Sequence, residues 1–584
     1  MFLANILPVD TFAYVYFHGL GRRILASRKS LPTQMQAANI RLHPEVYASM
    51  VGMFTLLSVA VAVPLAILGA LFVSPFLLLL LILPVVVFGF LMIYPSFVGQ
   101  NRAYNLESEV PYAAAYVSVM STGGISPYKA IQRLRNVKLL PSLSSAASIM
   151  AVDVEAIGMD PVSAMESMAK ALPSPDFKDL ILGYASTLTV GGDIVHYLQR
   201  KAYNIFENRA RNVKAIGERV TLVMETYTIV VILLALGIYI LFIVSKIMPA
   251  AGSMFGTGSF VIFGYFLLPG LTVVFLFLLD MFEPRYPLAD WRPYIVVAVT
   301  LPFTLVAAYL TVLPFYLQIN SPLKSYVTGL ASALRLNVGY APALSLALVM
   351  AFTFLPAAIV AVKAGAEQSQ VSSQLVSFLR DLVEIRKTGM APERCIQMLS
   401  KRDYGKFSNR VQRISNKLGW GISFNEILDQ ELGGIKNWFV AINIFLLIDS
   451  IDVGGGTPET LEALASFGEQ IQLLEKEKAS TLKPLLLIPY IGGLTTLLTA
   501  TVMMAYMQNL SNMAHFAFSF TDFALLFLPP VVMNTVLAGL VAGKASGEKI
   551  SAGFIHAFIL GIAVVVCLAL MPYLTGSLAL QSGT

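Results

Sequence analysis

Charge is scarce in this sequence: Asp, Glu, Lys and Arg make up 13% of its 584 residues, while 57% are hydrophobic. Soluble domains carry about 25% charged residues, so a chain with a mean hydropathy of +0.72 falls outside that class. Cysteine is almost absent. Cys395 lies in a long polar insertion and Cys567 in an apolar window, which leaves no disulfide framework and no thiolate site to read. The five histidines, His18, His43, His196, His515 and His556, show no metal-ligand spacing, so no metal site is expected. A phosphate-cradling loop is missing too, because AGKAS at Ala542 lacks the long Gly-rich run and VGGGTPET at Val453 has no lysine. Neither a cofactor nor a nucleic-acid partner is expected.

What is present is a series of windows near 20 residues with few or no charges, each able to cross about 30 Å of hydrocarbon as a helix. Nine are read, at 51–72, 75–96, 221–246, 260–280, 294–317, 341–362, 485–506, 523–543 and 553–574. A transmembrane barrel would need short alternating strands instead, so the expected fold is an all-α polytopic membrane protein. Residues 1–20 include Asp10 and His18, and Arg22 and Arg23 follow the apolar part; an amphipathic helix at the membrane surface is expected there rather than a cleaved leader.

Basic residues set orientation, because loops rich in Lys and Arg stay on the cytoplasmic side. With the N-terminus inside, residues 1–50, 97–220, 281–293, 363–484 and 544–552 hold 37 of the 40 Lys and Arg. The remaining three are Lys246, Lys324 and Arg335. The chain thus divides into an N-terminal cytoplasmic or interfacial segment (1–50), two spans (51–96), a cytoplasmic domain (97–220), four spans (221–362), a second cytoplasmic domain (363–484), three spans (485–574) and an external tail (575–584). A receptor for an extracellular ligand is disfavoured by that layout.

The two insertions repeat each other. GISPYKAIQRL at Gly124 and GMAPERCIQML at Gly389 share Gly, Pro, Ile, Gln and Leu in register. Ahead of them Val110, Ala113, Val117 and Met120 align with Leu375, Phe378, Leu382 and Ile385. Spacings of three and four mark one face of a helix that stops at the glycine, and Pro127 or Pro392 suits the first turn of the next helix. Further on, Gly158 aligns with Gly421, and Gly191-Gly192 with Gly454-Gly455. Spans two to five match spans six to nine in the same direction, so the expected architecture is a parallel duplication of a four-span unit with one helical bundle, plus one extra span.

At these residues the chain resembles the type II secretion system F family, the platform proteins of type IV pilus and archaellum assembly machines. The resemblance covers roughly 106–245 and 371–506, and nine spans with two domains look more like archaeal members than bacterial ones. Gly124 with Pro127, Gly158, Gly191 and Gly192 fit the family's glycine turns in the first copy; Gly389 with Pro392, Gly421, Gly454 and Gly455 fit them in the second. It implies a non-enzymatic platform that couples a hexameric cytoplasmic secretion ATPase to pilin-like subunits, with a homodimer left open. Bacterial copies commonly carry a glutamate near the Gly-rich turn, where this chain has Ser186 and Thr189 in the first copy and Asp449 and Asp452 in the second.

The copies also diverge in charge. Arg200, Lys201, Arg209, Arg211 and Lys214 make the helix after the first Gly-rich turn basic, whereas Glu469 and Glu475 help make its counterpart acidic. Together with Asp449 and Asp452 these are the candidate ATPase contacts, because opposed charges fix the orientation of a docked ring. A pilin-processing peptidase would need two membrane-proximal aspartates. Asp193, in the sequence GGD, has no evident companion and is expected to cap the helix at Ile194. Proline and glycine interrupt the matching fourth and eighth spans, as LLPG at Leu267 and FLPP at Phe527. Broken helices of that kind keep a secondary transporter with parallel repeats as the competing reading.

Overall fold

A computed structural model describes residues 9–38, 40, 42–72, 81, 83–247, 257–281, 288, 290–319, 321–454, 456–514, 520–547 and 549–581. Every regular element among them is helical. Nine described helices, from Pro44–Ile67 to Ile550–Pro572, are long and apolar enough to cross a bilayer, and each carries one of the nine windows. Residues 75–80 and 82 of the second window lie outside the described residues. The chain is an all-α polytopic membrane protein.

The fold divides into two compact units, Met1–Val117 with Ser126–Ala202, and Ser118–Ile125 with Tyr203–Thr584. In the first, the helix Val9–Ser27 packs along Pro44–Phe72. Gly21 makes that approach close, since a side chain there would strike Ser49. Tyr47 Oη donates to Leu91 O at 2.6 Å and Arg28 Nη1 to Met92 O at 2.9 Å, which ties the start of the next long helix to this pair.

That next helix, Leu83–Thr122, was expected to be amphipathic where it leaves the apolar window; residues 108–121 are instead buried all round. The reason is local composition. Ala113, Ala114 and Ala115 present no polar face between Val110 and Met120, so every side can be covered. In the second unit the corresponding helix, Ala341–Arg386, buries Leu375, Phe378 and Leu382 and leaves charged residues outside.

The capping that starts the short helices is written in the sequence. Ser126, Asp160, Ser174 and Asp193 accept backbone N–H bonds in the first copy, as Ser423 and Thr457 do in the second. Side chains at counterpart positions of the repeat add a further pair of caps. Glu109 accepts from the N–H groups of Ser142 and Leu143 at 3.1 and 3.0 Å, and Gln374, its counterpart in the repeat, accepts from Phe407 N at 3.1 Å.

Counterpart helices of the duplication touch at counterpart positions within the second unit. Asp280 and Lys544, 264 residues apart, form an ion pair at 2.8 Å. Thr272 and Asn534, 262 apart, share a hydrogen bond at 3.4 Å. Gly217 faces Thr481 and Gly492 faces Thr228 so closely that a β-carbon on either glycine would meet the threonine methyl. Spans eight and nine approach closer still: side chains on Gly539 and Gly543 would collide with the backbone at Ala557 and Gly553. Small residues four apart let helix backbones meet in a membrane.

The prolines do not open the spans. Pro529 and Pro530 sit inside the continuous helix Phe520–Gly547, and each removes the N–H that the carbonyl four residues earlier would accept. In hydrocarbon a bare carbonyl costs several kcal/mol. Tyr316 Oη donates to Leu525 O at 3.0 Å, while Tyr265 Oη lies 3.5 Å from Leu526 O and 2.7 Å from Tyr316 Oη. In the fourth span a π turn over Ile262–Leu267 absorbs Pro269. Neither span has the unwound segment at its prolines that a midplane transport site would use.

Candidate functional site

Sequence reasoning placed the candidate site on the two helical bundles. Their corners are made by glycines in the left-handed region: Gly124, Gly158 and Gly191 at φ +84, +76 and +75, and Gly389, Gly421 and Gly456 at +87, +76 and +54. Around Gly191 the N–H groups of Gly191 and Gly192 bond to Leu188 O and Thr187 O at 3.2 and 2.9 Å, which closes the preceding helix and gives Gly192 its place. Gly454 is the last residue of the helix Trp438–Gly454, and Gly455 lies outside the described residues. The residue that takes the conformation of Gly191 in the second copy is Gly456, two positions later than the sequence alignment had it. Gly389→Val is expected to cost the second bundle about 1–2 kcal/mol, because a β-branched residue resists positive φ. Thermal unfolding of the full chain in detergent, with Gly365→Val as the negative-φ comparison, measures it.

In the second bundle one side chain joins two of these corners. Arg386 donates from Nη1 to Met390 O and from Nε to Gly456 O, both at 2.8 Å. Pro392 packs on Gly456, where a β-carbon would lie 3.1 Å from Pro392 Cγ and 2.9 Å from Ile451 Cγ1. The Cys395 thiol lies behind the same turn, 3.4 Å from Met390 O, and burial raises its pKa. Asn425 Nδ2 donates to Asp452 Oδ2 at 2.8 Å, which brings the segment after Gly421 to this end.

The charged candidates separate into exposed and enclosed groups. Arg200, Arg211, Lys214, Asp452 and Glu475 are exposed. Lys201 pairs with Asp179 at 3.3 Å, Arg211 with Glu207 at 3.8 Å, and Glu469 with Arg380. Arg209 and Asp449, expected as contacts for a partner, are buried at 8% and 3% exposure. Arg209 lies opposite the Arg200, Arg211 and Lys214 face by helical phase, and Asp449 belongs to a helix buried from Phe439 to Ile451.

Sequence reasoning missed the densest charge cluster. Glu431, 4% exposed, accepts from Lys417 Nζ at 2.8 Å and from Arg413 Nη2 at 3.3 Å, with Arg410 Nη1 at 3.6 Å. Burial pushes its carboxyl up, but the Lys417 and Arg413 hydrogen bonds and charges outweigh it and hold the pKa below the ordinary value. The signal was present: residues 410, 413 and 417 have the spacing of one helix face. Only the partner, 14 or more residues away, was not visible.

Among the described residues no group of three His, Cys, Asp or Glu side chains could hold a metal ion.

Residues 113–242 and 378–505 each match the family "Type II secretion system (T2SS), protein F". An uncharacterized protein from Methanocaldococcus jannaschii is 20% identical over 397 residues, covering 62% of this chain and 62% of that relative's length. No solved structure matches. The two matched regions cover both copies of the glycine-cornered bundle and the span that follows each, so this polytopic membrane protein carries two regions that are similar to the type II secretion system protein F family.

Proposed function

We propose that this chain is the membrane platform of a type IV pilus-like or archaellum machine, with its N-terminus and both bundles in the cytoplasm and its C-terminus outside. A hexameric secretion ATPase presses on the bundles, and the spans pass that motion to pilin-like subunits leaving the bilayer for the filament. The platform itself carries out no chemistry. The observation that carries this reading is mechanical. The second bundle joins its span through an unbroken helix, Ala341–Arg386 of 46 residues, reaching about 69 Å at 1.5 Å per residue, and the helix Ile194–Ile247 runs unbroken for 54 residues. A rod of that kind moves its membrane end when its bundle end is tilted.

The charge layout supports the orientation, since the bundles and their flanking helices hold most of the basic residues. The full chain in detergent is expected to bind the secretion ATPase of its own cell and to change its ATP turnover. Arg211→Glu with Lys214→Glu is expected to weaken that coupling while membrane insertion persists. Absence of binding, together with uptake of a small solute into liposomes, would return the chain to the transporter reading.

A further inference from the structure

Trp420 stands out among the exposed side chains. It is 76% exposed, although it ends the helix Ser408–Gly419 in a closed turn, where the N–H groups of Gly421 and Ile422 bond to Leu418 O and Lys417 O at 3.0 and 3.1 Å. A large aromatic ring held on hydrogen-bonded backbone and three-quarters exposed covers little of its own chain. Arg413, Lys417 and Trp420 follow each other at four and three residues, which puts them on one helix face. Arg413 is half exposed and uses only Nη2 on Glu431.

The electrostatics of this face are unbalanced. Arg410, Arg413 and Lys417 share the single carboxylate of Glu431. Glu426 and Asp429, on the same helix as Glu431, form no described ion pair with them. The three cations exceed the one carboxylate by two charges, and Arg413 is the one of them that is half exposed beside the indole, Arg410 and Lys417 being mostly enclosed. The first copy exposes an apolar side chain at the corresponding position, Ile157, but has Met150 and Val154 where Arg413 and Lys417 stand, so it lacks the flanking cations.

The position also excludes lipid as the occupant. The sixth apolar window ends near residue 362, and its helix continues to Arg386, about 36 Å further on. Arg386 bonds into the corner of Met390 and Gly456, and Asn425 holds the Gly421 turn to that end through Asp452. Trp420 therefore sits far beyond the hydrocarbon.

From these observations we propose that the face formed by Arg413, Lys417 and Trp420 docks an acidic segment of a cytoplasmic protein, with an apolar side chain of that segment seated against the indole. Trp and Arg are the residues that most often anchor interfaces, and like charges flanking the anchor reject basic segments. Only the second bundle carries this face, so the partner approaches the duplicated chain on one side. The proposal deepens the platform reading and rests on it in taking the bundle as a docking module.

The test uses the full chain in detergent and a short fluorescein-labelled peptide rich in Asp and Glu with one central phenylalanine. Anisotropy is expected to show salt-sensitive binding that falls about tenfold or more with Trp420→Ala and with Arg413→Glu. Trp420 is exposed, whereas Arg413 is half exposed and pairs with Glu431. Arg413→Gln, which avoids setting two carboxylates together, is therefore measured beside Arg413→Glu and is expected to weaken binding in the same direction. Elution with wild type checks the fold of each variant. A lysine-rich peptide of the same length is expected not to bind. Equal binding by wild type and all three variants, or no binding of the acidic peptide, overturns the proposal. So does self-association of the wild type that Trp420→Ala abolishes, which would make a second copy the occupant. Because the peptide titration needs no ATPase, its failure is distinct from failure of the ATPase to bind.

Discussion

Gly543→Leu is expected to separate the eighth and ninth spans and to cost at least about 3 kcal/mol, the upper range for overpacking. Gly539 and Gly543 bring one helix backbone against Gly553 and Ala557 of the next, and a leucine has no room unless the helices part. Parting them breaks more than one contact, because Ala542 and Ala545 on the same helix are buried as well. The experiment compares Gly543→Leu with Gly270→Leu, where nothing lies within 4 Å of the added carbon. Monodisperse elution and thermal midpoint in detergent are the readouts. Equal behaviour of the two variants would mean that spans eight and nine are not in backbone contact.

Removing the carboxylate of Glu431 should be as damaging to the second bundle. Glu431→Ala leaves Lys417 and Arg410, both mostly enclosed, without their counter-charge, and stranding buried cations costs about 3–5 kcal/mol. The same pair gives a pH signature. Glu431 has its pKa lowered in the folded chain, so its contribution is present above the unfolded value near about 4.3 and is lost as pH falls through the lower, folded pKa. Wild type should therefore lose stability on acidification through that window, and Glu431→Gln should be less stable at neutral pH yet lose less on acidification. Parallel acid profiles for the two proteins would show that the cluster does not stabilise the fold.

Much of the architecture was legible because it rests on local signals. Windows of low charge locate spans regardless of what they pack against, and Gly124 or Gly389 needs only its own φ to end a helix. Asp193 caps the helix after it through a bond to His196 N at 3.0 Å. What the sequence hid was long-range. Gly456, not Gly454, takes the left-handed turn because the helix before it runs on to Gly454. The carbonyls freed by Pro529 and Pro530 are answered by tyrosines more than 200 residues away, so the FLPP stretch reads as a break in one dimension and as a helix in three. Lys544, counted with a cytoplasmic loop, lies inside a helix because Asp280 supplies its charge. The burial of Arg209 and Asp449 was hidden as well, because it depends on which elements pack over them.

The pair Asp280–Lys544 has one more implication. Both residues occupy the same place in their respective repeats, so two identical chains meeting in this way would set aspartate against aspartate or lysine against lysine. Carrying both repeats on one polypeptide lets each half mutate without changing its mate. An attraction between unlike residues can then stand at a point of near-symmetry where a pair of twins would repel.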